Sequence, residues 1–222
     1  MIFNCQVATS THRQITTLTT ISIIIAIYNR KDELFELLNS LSHQTDKDFE
    51  IIIVDDGSKI DLRPTTALFN ESLNIQFYRK DNTGPGLSRN YGARRAKNDW
   101  LVFVDSDVIV EKDYIENIKK NITEIPCDAF GGADKAHKGF NLMQKAISYS
   151  MTSIFTTGGI RGSRKAVTKF QPRSFNMGVK KSAFQAVGGF SEMRIGEDPD
   201  LSMTRWENGF TTAFFDDIGV YH

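Results

Sequence analysis

An α/β protein built on a mostly parallel sheet is the fold class this chain predicts, on three observations. β-branched or apolar runs recur at Ile21–Ile27, Phe49–Val54 and Trp100–Val104, each short enough for a strand buried on both faces. Between them lie stretches with helical spacing, so strand and helix alternate along the first half, as in sheets with right-handed crossovers. Carboxylates gather where the runs end, at the edge where open sheets of this class bind their ligands.

The elements follow in order. Residues 1–20 are polar, rich in threonine and without a period, and are expected to form an N-terminal extension. Ile21–Ile27 predicts the first strand. Tyr28, Asn29 and Arg30 make the loop after it, and Leu34, Leu37, Leu38 and Leu41 set one face of a helix. Phe49–Val54 predicts the second strand, which stops at Asp55-Asp56-Gly57-Ser58, a turn or helix-cap sequence in which Asp56 is the candidate cap of the next helix. Ile75–Tyr78 predicts a weaker third strand, and Asp81–Gly86 leads from it into a helix over Leu87–Ala96. Trp100–Val104 then runs into Asp105-Ser106-Asp107. The second half is less regular: a helix over Tyr114–Asn121, an apolar helix over Phe140–Phe155, and a glycine-rich basic loop over Thr156–Phe170 whose arginines and lysines suit phosphate. Phe214–Tyr221 predicts a strand returning toward the sheet edge. No repeat and no linker divides the chain, so residues 21–222 are expected to form one domain.

Composition excludes several function classes. The 222 residues are 40% apolar and 24% charged, ordinary for a globular protein, and 27 basic residues balance 27 acidic ones. That balance does not favour nucleic acid or an anionic membrane. Cys5 and Cys127 form neither a disulfide framework nor a Cys-x-x-Cys metal site, and free thiols fit a reducing compartment. The apolar run Ile23–Tyr28 is too short to span a bilayer and lacks signal-peptide flanks.

Asp105 and Asp107 carry the clearest chemistry. An Asp-x-Asp at a strand end can share a hard cation such as Mg2+ or Mn2+ with a phosphate ligand, because these ions prefer oxygen donors and keep positions open for substrate. Alone, such a pair serves equally well as a solvated turn. A calcium loop is excluded, since later ligand and glycine positions would fall on Ile109 and Val110. A dinucleotide fingerprint fails because its third glycine position, after Gly84 and Gly86, is Arg89 and the loop does not follow the first strand. A sugar nucleotidyltransferase would need a glycine-rich, arginine-bearing loop where Ala26–Lys31 stands. No Walker loop, Gly-x-Ser-x-Gly elbow or His-Glu-x-x-His helix is present.

Read in series, Tyr28-Asn29-Arg30, Val54-Asp-Asp-Gly-Ser58, Asn82-Thr-Gly-Pro-Gly-Leu-Ser-Arg-Asn-Tyr-Gly92, Asp105-Ser-Asp107, Phe175-Asn-Met-Gly178, Val187-Gly-Gly-Phe190 and Gly196-Glu-Asp198 give the chain a resemblance to the family 2 glycosyltransferases of the GT-A fold. The resemblance covers about residues 21–222. It implies a GT-A-type fold, an inverting and metal-dependent transfer of a sugar from a nucleoside diphosphate sugar, with uridine the favoured base, and a hydroxyl acceptor in polysaccharide or glycolipid synthesis. The transferred sugar would be of hexosyl or N-acetylhexosaminyl type. Asp55 with Tyr28 and Asn29 is then expected at the nucleobase, Asp56 and Arg89 beside it and the phosphates, and Asp105 at the ribose. Asp107 and the terminal His222 are expected on a divalent cation, Mn2+ or Mg2+. Glu197 and Asp198 resemble the acidic pair beneath the acceptor, with Asp198 as the general base; one positioned carboxylate suffices for inversion, unlike the two of glycoside hydrolases. Relatives commonly continue past this point into an acceptor-binding or membrane-associated portion, which implies a cytoplasmic location at the inner membrane face, through a further C-terminal part. A nucleotide-sugar-binding module without turnover, serving a larger synthase, is the alternative.

Overall fold

The computed structural model describes residues 19–135, 170–192, 201 and 207–221. The first eighteen residues, the expected helix over Phe140–Phe155, the basic loop except Phe170, and Glu197, Asp198 and His222 lie outside the described residues.

The described strands form one eight-stranded sheet. In chain order they are β1 (Ile21–Ile27), β2 (Phe49–Asp55), β3 (Ile75–Arg79), β4 (Trp100–Asp105), β5 (Ile109–Val110), β6 (Ala129–Lys135), β7 (Asn176–Lys180) and β8 (Thr212–Tyr221). Across the sheet the order is β3-β2-β1-β4-β7-β6-β8-β5. β1 runs parallel to both β2 and β4, and β2 runs parallel to β3. β7 is antiparallel to β4 and to β6, β8 is parallel to β6, and β5 closes the far edge antiparallel to β8. The expected parallel sheet is therefore the first half of the chain, with a mixed half joined to it at β4.

The helices are α1 (Lys31–Ser42), α2 (Arg63–Ala67), α3 (Pro85–Ala93), α4 (Tyr114–Glu124) and α5 (Lys181–Ala186). Helix α3 begins two residues before the expected Leu87, because Pro85 presets the helical φ behind Gly84, whose φ of 97° breaks the preceding chain. Alternation along the central strands sends the odd-numbered residues of β1 and β2, with the even-numbered ones of β4, to one face and the remainder to the other. Ile21, Ile23, Ile25, Ile51, Ile53 and Val102 pack with the α1 leucines and Ile115 and Ile118 of α4. Ile24, Ile52, Val54, Leu101 and Phe103 pack with Ala93 of α3 and with Phe184 and Phe190. Both faces of β1, β2 and β4 are thus fully covered, which is why these strands read as unbroken apolar runs.

At the amino-terminal ends of the parallel strands, Glu50 is buried but satisfied: Ser22 Oγ (2.6 Å) and the Lys97 amide (2.7 Å) donate to one oxygen, Gln76 Nε2 (2.8 Å) to the other. The carboxyl ends are built differently.

Candidate active site

Three consecutive crossings place three loops side by side at the carboxyl edge of β1, β2 and β4. After β1 the chain turns through Asn29 in the left-handed region, at φ 55°. Asparagine tolerates that conformation because its amide can bond nearby backbone. Here Asn29 Oδ1 accepts the Lys59 amide at 2.7 Å, while the Asn29 amide donates to Ser58 Oγ at 2.8 Å. The two loops are locked together, with Tyr28 left 45% exposed at their rim.

The two aspartates that end β2 divide their work. Asp55 is fully buried; its Oδ1 accepts the Ser58 amide at 2.8 Å. Among the described residues its Oδ2 has no hydrogen-bond partner, and it faces Arg79 Nε at 3.6 Å. Asp55 does not line the cleft described below, whereas Asp56 does. The Asp56 carboxylate accepts the Thr83 and Gly84 amides, each at 2.9 Å, and the Lys80 ammonium. Its carbonyl accepts Asn82 Nδ2 at 2.9 Å. The expectation that Asp56 caps the next helix is corrected here: α2 starts behind Leu62 with no side-chain cap, and Asp56 instead holds the entrance to α3. Parallel pairing of β2 with β3 is the cause, because it brings Lys80–Gly84 alongside Asp56 with two amides and a cation to offer.

Helix α3 delivers Arg89. Gly92 lets the helix lie close on the sheet, since a Cβ there would sit 2.7 Å from Ile24 Cγ2. One turn earlier, Arg89 is buried, donates from Nη2 to Asp105 Oδ1 at 2.8 Å, and lies over the Phe190 ring, 5.4 Å from its centroid. Asn90 fixes that ring by bonding both the Phe190 carbonyl (2.8 Å) and amide (2.9 Å). From the α1 side, Arg30 Nη1 reaches Asp107 Oδ2, also at 2.8 Å.

Together these residues wall a cleft of about 580 Å³ lined by Tyr28, Arg30, Asp56, Arg89, Asp105 and Asp107. The structure thus brings together the expected Tyr28, Asp56, Arg89, Asp105 and Asp107. Asn29 and Asp55 stand behind this wall as loop-fixing groups. Lys80 and Arg30 were not singled out from the sequence as site residues; their signal is position, since each lies just past the carboxyl end of a parallel strand. Chemically, the cleft offers hard oxygen donors next to guanidinium groups, a set that suits a divalent cation together with an anionic ligand. Among the described residues no third histidine, cysteine or carboxylate joins Asp105 and Asp107 in a cation-binding cluster.

The mixed half returns the chain to the same place. β8 ends with Tyr221 opposite Ile109, two residues beyond Asp107. The Tyr221 hydroxyl donates to Glu111, a bond that with burial raises the phenol pKa, and Lys135 Nζ meets the other Glu111 oxygen at 3.3 Å. Gly219 leaves room for the Lys135 stem, whose Cε would lie 2.3 Å from a Cβ at that position.

The chain and its fold have relatives. The family model described as glycosyl transferase family 2 matches residues 22–187. An uncharacterized glycosyltransferase of Haemophilus influenzae is 33% identical over 196 residues, covering 82% of this chain and 60% of that protein. One of Rickettsia conorii is 39% identical over 112 residues, covering 50% of this chain and 18% of that protein. The chain therefore spans less than two thirds of the length of these relatives. Among solved structures, S. aureus TarS (residues 1–349) in complex with UDP-GlcNAc superposes with a TM-score of 0.73 at 22% identity, over 92% of this chain and 58% of that one. A mannosyltransferase of Pyrobaculum calidifontis in complex with GDP-Man and Mn2+ gives 0.70 at 15% identity, over 91% of this chain and 56% of that one. At such identities these two establish the fold, and the family match carries the rest: the chain belongs to glycosyl transferase family 2, on a GT-A-type α/β fold.

Proposed function

We propose that this chain carries the catalytic site of an inverting, divalent-cation-dependent glycosyltransferase that moves a sugar from a nucleoside diphosphate donor, preferably a UDP-sugar, to a hydroxyl of a saccharide or glycolipid acceptor. The observation that carries this reading is the edge of β4, where Asp105 and Asp107 face one cleft with Arg30, Arg89, Asp56 and Tyr28. The donor class draws support from solved relatives in complex with UDP, UDP-GlcNAc and GDP-Man.

In this reading Tyr28 packs on the nucleobase and Asp56, oriented by Lys80 and two amides, stands beside it. Asp55 shapes the turn that presents Asp56, and Asn29 pins the neighbouring loop. Arg89, in the second turn of α3, lies toward the phosphates, and the N-terminus of that helix at Gly84–Pro85 also favours anions. Asp107, with Asp105 alongside and His222 as a further ligand, would hold the cation. When bound, that ion neutralises charge on the leaving diphosphate. Asp198 takes the proton of the acceptor hydroxyl as its oxygen bonds to the anomeric carbon, while the bond from that carbon to the phosphate oxygen breaks and its electron pair leaves with the diphosphate. Glu197 is assigned to the acceptor floor next to it.

The test is turnover against binding in the Asp198→Asn variant. UDP affinity is expected to stay within about twofold while donor hydrolysis or transfer falls at least about a hundredfold. Equal turnover in wild type and variant would remove Asp198 from the chemistry.

A further inference from the structure

We propose that Arg30 is a resident counter-ion of Asp107 which must release the carboxylate before a divalent cation can bind, so that cation and nucleoside diphosphate enter the cleft as a coupled pair. The inference rests on the donor-site reading above and adds a residue and a binding order to it.

The two ion pairs of the cleft are matched in length and opposite in build. Arg89–Asp105 and Arg30–Asp107 both close at 2.8 Å. The Arg89 side chain is only 7% exposed and is held over Phe190. The Arg30 side chain is 48% exposed, starts from the residue that precedes α1, and has a second carboxylate, Glu33, 3.7 Å away. Its backbone cannot follow it, because Asn29 is fixed at both its amide and its side chain to the Ser58–Lys59 loop. What can move is the guanidinium alone, between Asp107 and the open cleft.

Charge makes that movement consequential. Arg30 already occupies Asp107 Oδ2, so a cation arriving alone meets a paired carboxylate and must displace the guanidinium. An ion pair this exposed opposes it by about two- to fivefold, and the displaced guanidinium adds repulsion close by. A diphosphate arriving with the cation supplies the charge that a freed Arg30 can bind, bidentate where a lysine would act as a point charge. Each ligand then raises the affinity of the other by one common factor.

Mn2+ binding, read by calorimetry or by the signal of free Mn2+, separates this from a structural role. Wild type, Arg30→Gln, Arg30→Lys and the control Arg63→Gln would each be titrated with Mn2+ alone, with UDP and with GDP. Arg63 is exposed and pairs with Asp61, so its variant carries the same charge change at the start of α2, outside the cleft lining. The proposal expects Arg30→Gln to tighten Mn2+ alone by about fivefold and to shrink the Mn2+–diphosphate coupling toward one, with Arg30→Lys between and Arg63→Gln like wild type. Unchanged or weaker Mn2+ binding in Arg30→Gln, or an equal effect of Arg63→Gln, overturns the proposal while leaving the donor site standing. Failure of wild type to bind either diphosphate, with or without Mn2+, overturns the donor-site reading and this proposal with it.

Discussion

The two halves of the sheet reach the same edge by opposite means. In the parallel half, β3-β2-β1-β4, apolar strands supply stability and the loops beyond them are tied by polar bonds: Asn29 to the Ser58 turn, Asp56 to the mouth of α3, Arg89 to Asp105. In the mixed half, β7-β6-β8-β5, aromatic rings and missing side chains do the fitting. Phe130 stacks on Phe215 at 4.8 Å between centroids, and its ring lies where a Cβ on its paired neighbour Gly178 would be, 2.0 Å from Cζ. Gly132 likewise leaves space for Asn176, whose amide joins the Tyr114 hydroxyl (2.7 Å) to the Ile218 carbonyl (2.7 Å). The lesson is a division of labour: polar loops form the cleft at the β4 edge, and steric complementarity holds the strand that returns toward Asp107.

The largest expected effect tests the steric half. Gly178→Val forces a branched side chain into the Phe130 ring and should cost about 3 kcal/mol or more in urea unfolding, at the upper end of overpacking penalties. A loss under about 1 kcal/mol would mean that β6 and β7 are not close-packed. Next comes the polar half: Asp56→Ala strands a largely buried ammonium and two amides, with an expected cost of about 2 kcal/mol. Its sharper mark is functional, since UDP affinity should fall at least about tenfold. Should Gly178→Val, measured where it is still folded, weaken UDP as much as Asp56→Ala, the two halves would not be separable.

The smallest effect lies at the other end of the mixed half. Burial works against ionisation of Asp128, but the Thr211 amide and hydroxyl (3.0 Å each) and Lys180 (3.0 Å) together hold its pKa below the usual carboxylate range. A carboxylate depressed in the folded state stabilises above its unfolded pKa, near 3.8, and that contribution disappears as pH falls through the lower folded value. Asp128→Asn should therefore cost under about 1 kcal/mol at pH 7, after allowance for solvent screening, and the difference from wild type should vanish in acid. A difference that persists at low pH would point to packing instead of charge.

This contrast also explains what the sequence disclosed. Ile21–Ile27 was expected as a strand with the bounds it has, and the α1 leucines marked the face they bury, because local periodicity encodes both. β6, β7 and α5 were not anticipated. Ala-Phe-Gly-Gly in β6 and Asn-Met-Gly in β7 look like loop by propensity, and only the long-range fit of Phe130 over Gly178 makes them strands. At the candidate site, residue type and order sufficed to gather Asp105, Asp107, Arg89 and Tyr28 into one group, and these four line one cleft. The division between Asp55 and Asp56 was not legible, because it depends on β3 pairing beside β2 and bringing Lys80 to Asp56. Arg30, noted only as part of the Tyr28-Asn29-Arg30 loop, had no assigned role for a similar reason: its partner Asp107 is remote in sequence and meets it only across the β1–β4 pairing.

The central claim is that the cleft at the β4 edge binds a nucleoside diphosphate with a divalent cation. Thermal shift with UDP, GDP, CDP and dTDP, each with Mn2+, Mg2+ or EDTA, tests it directly, because a ligand selective for the native state raises the melting point as RT ln(1 + [L]/Kd). The account predicts the largest shift with UDP, present with Mn2+ or Mg2+ and lost in EDTA. Flat melting points across the whole panel would contradict it.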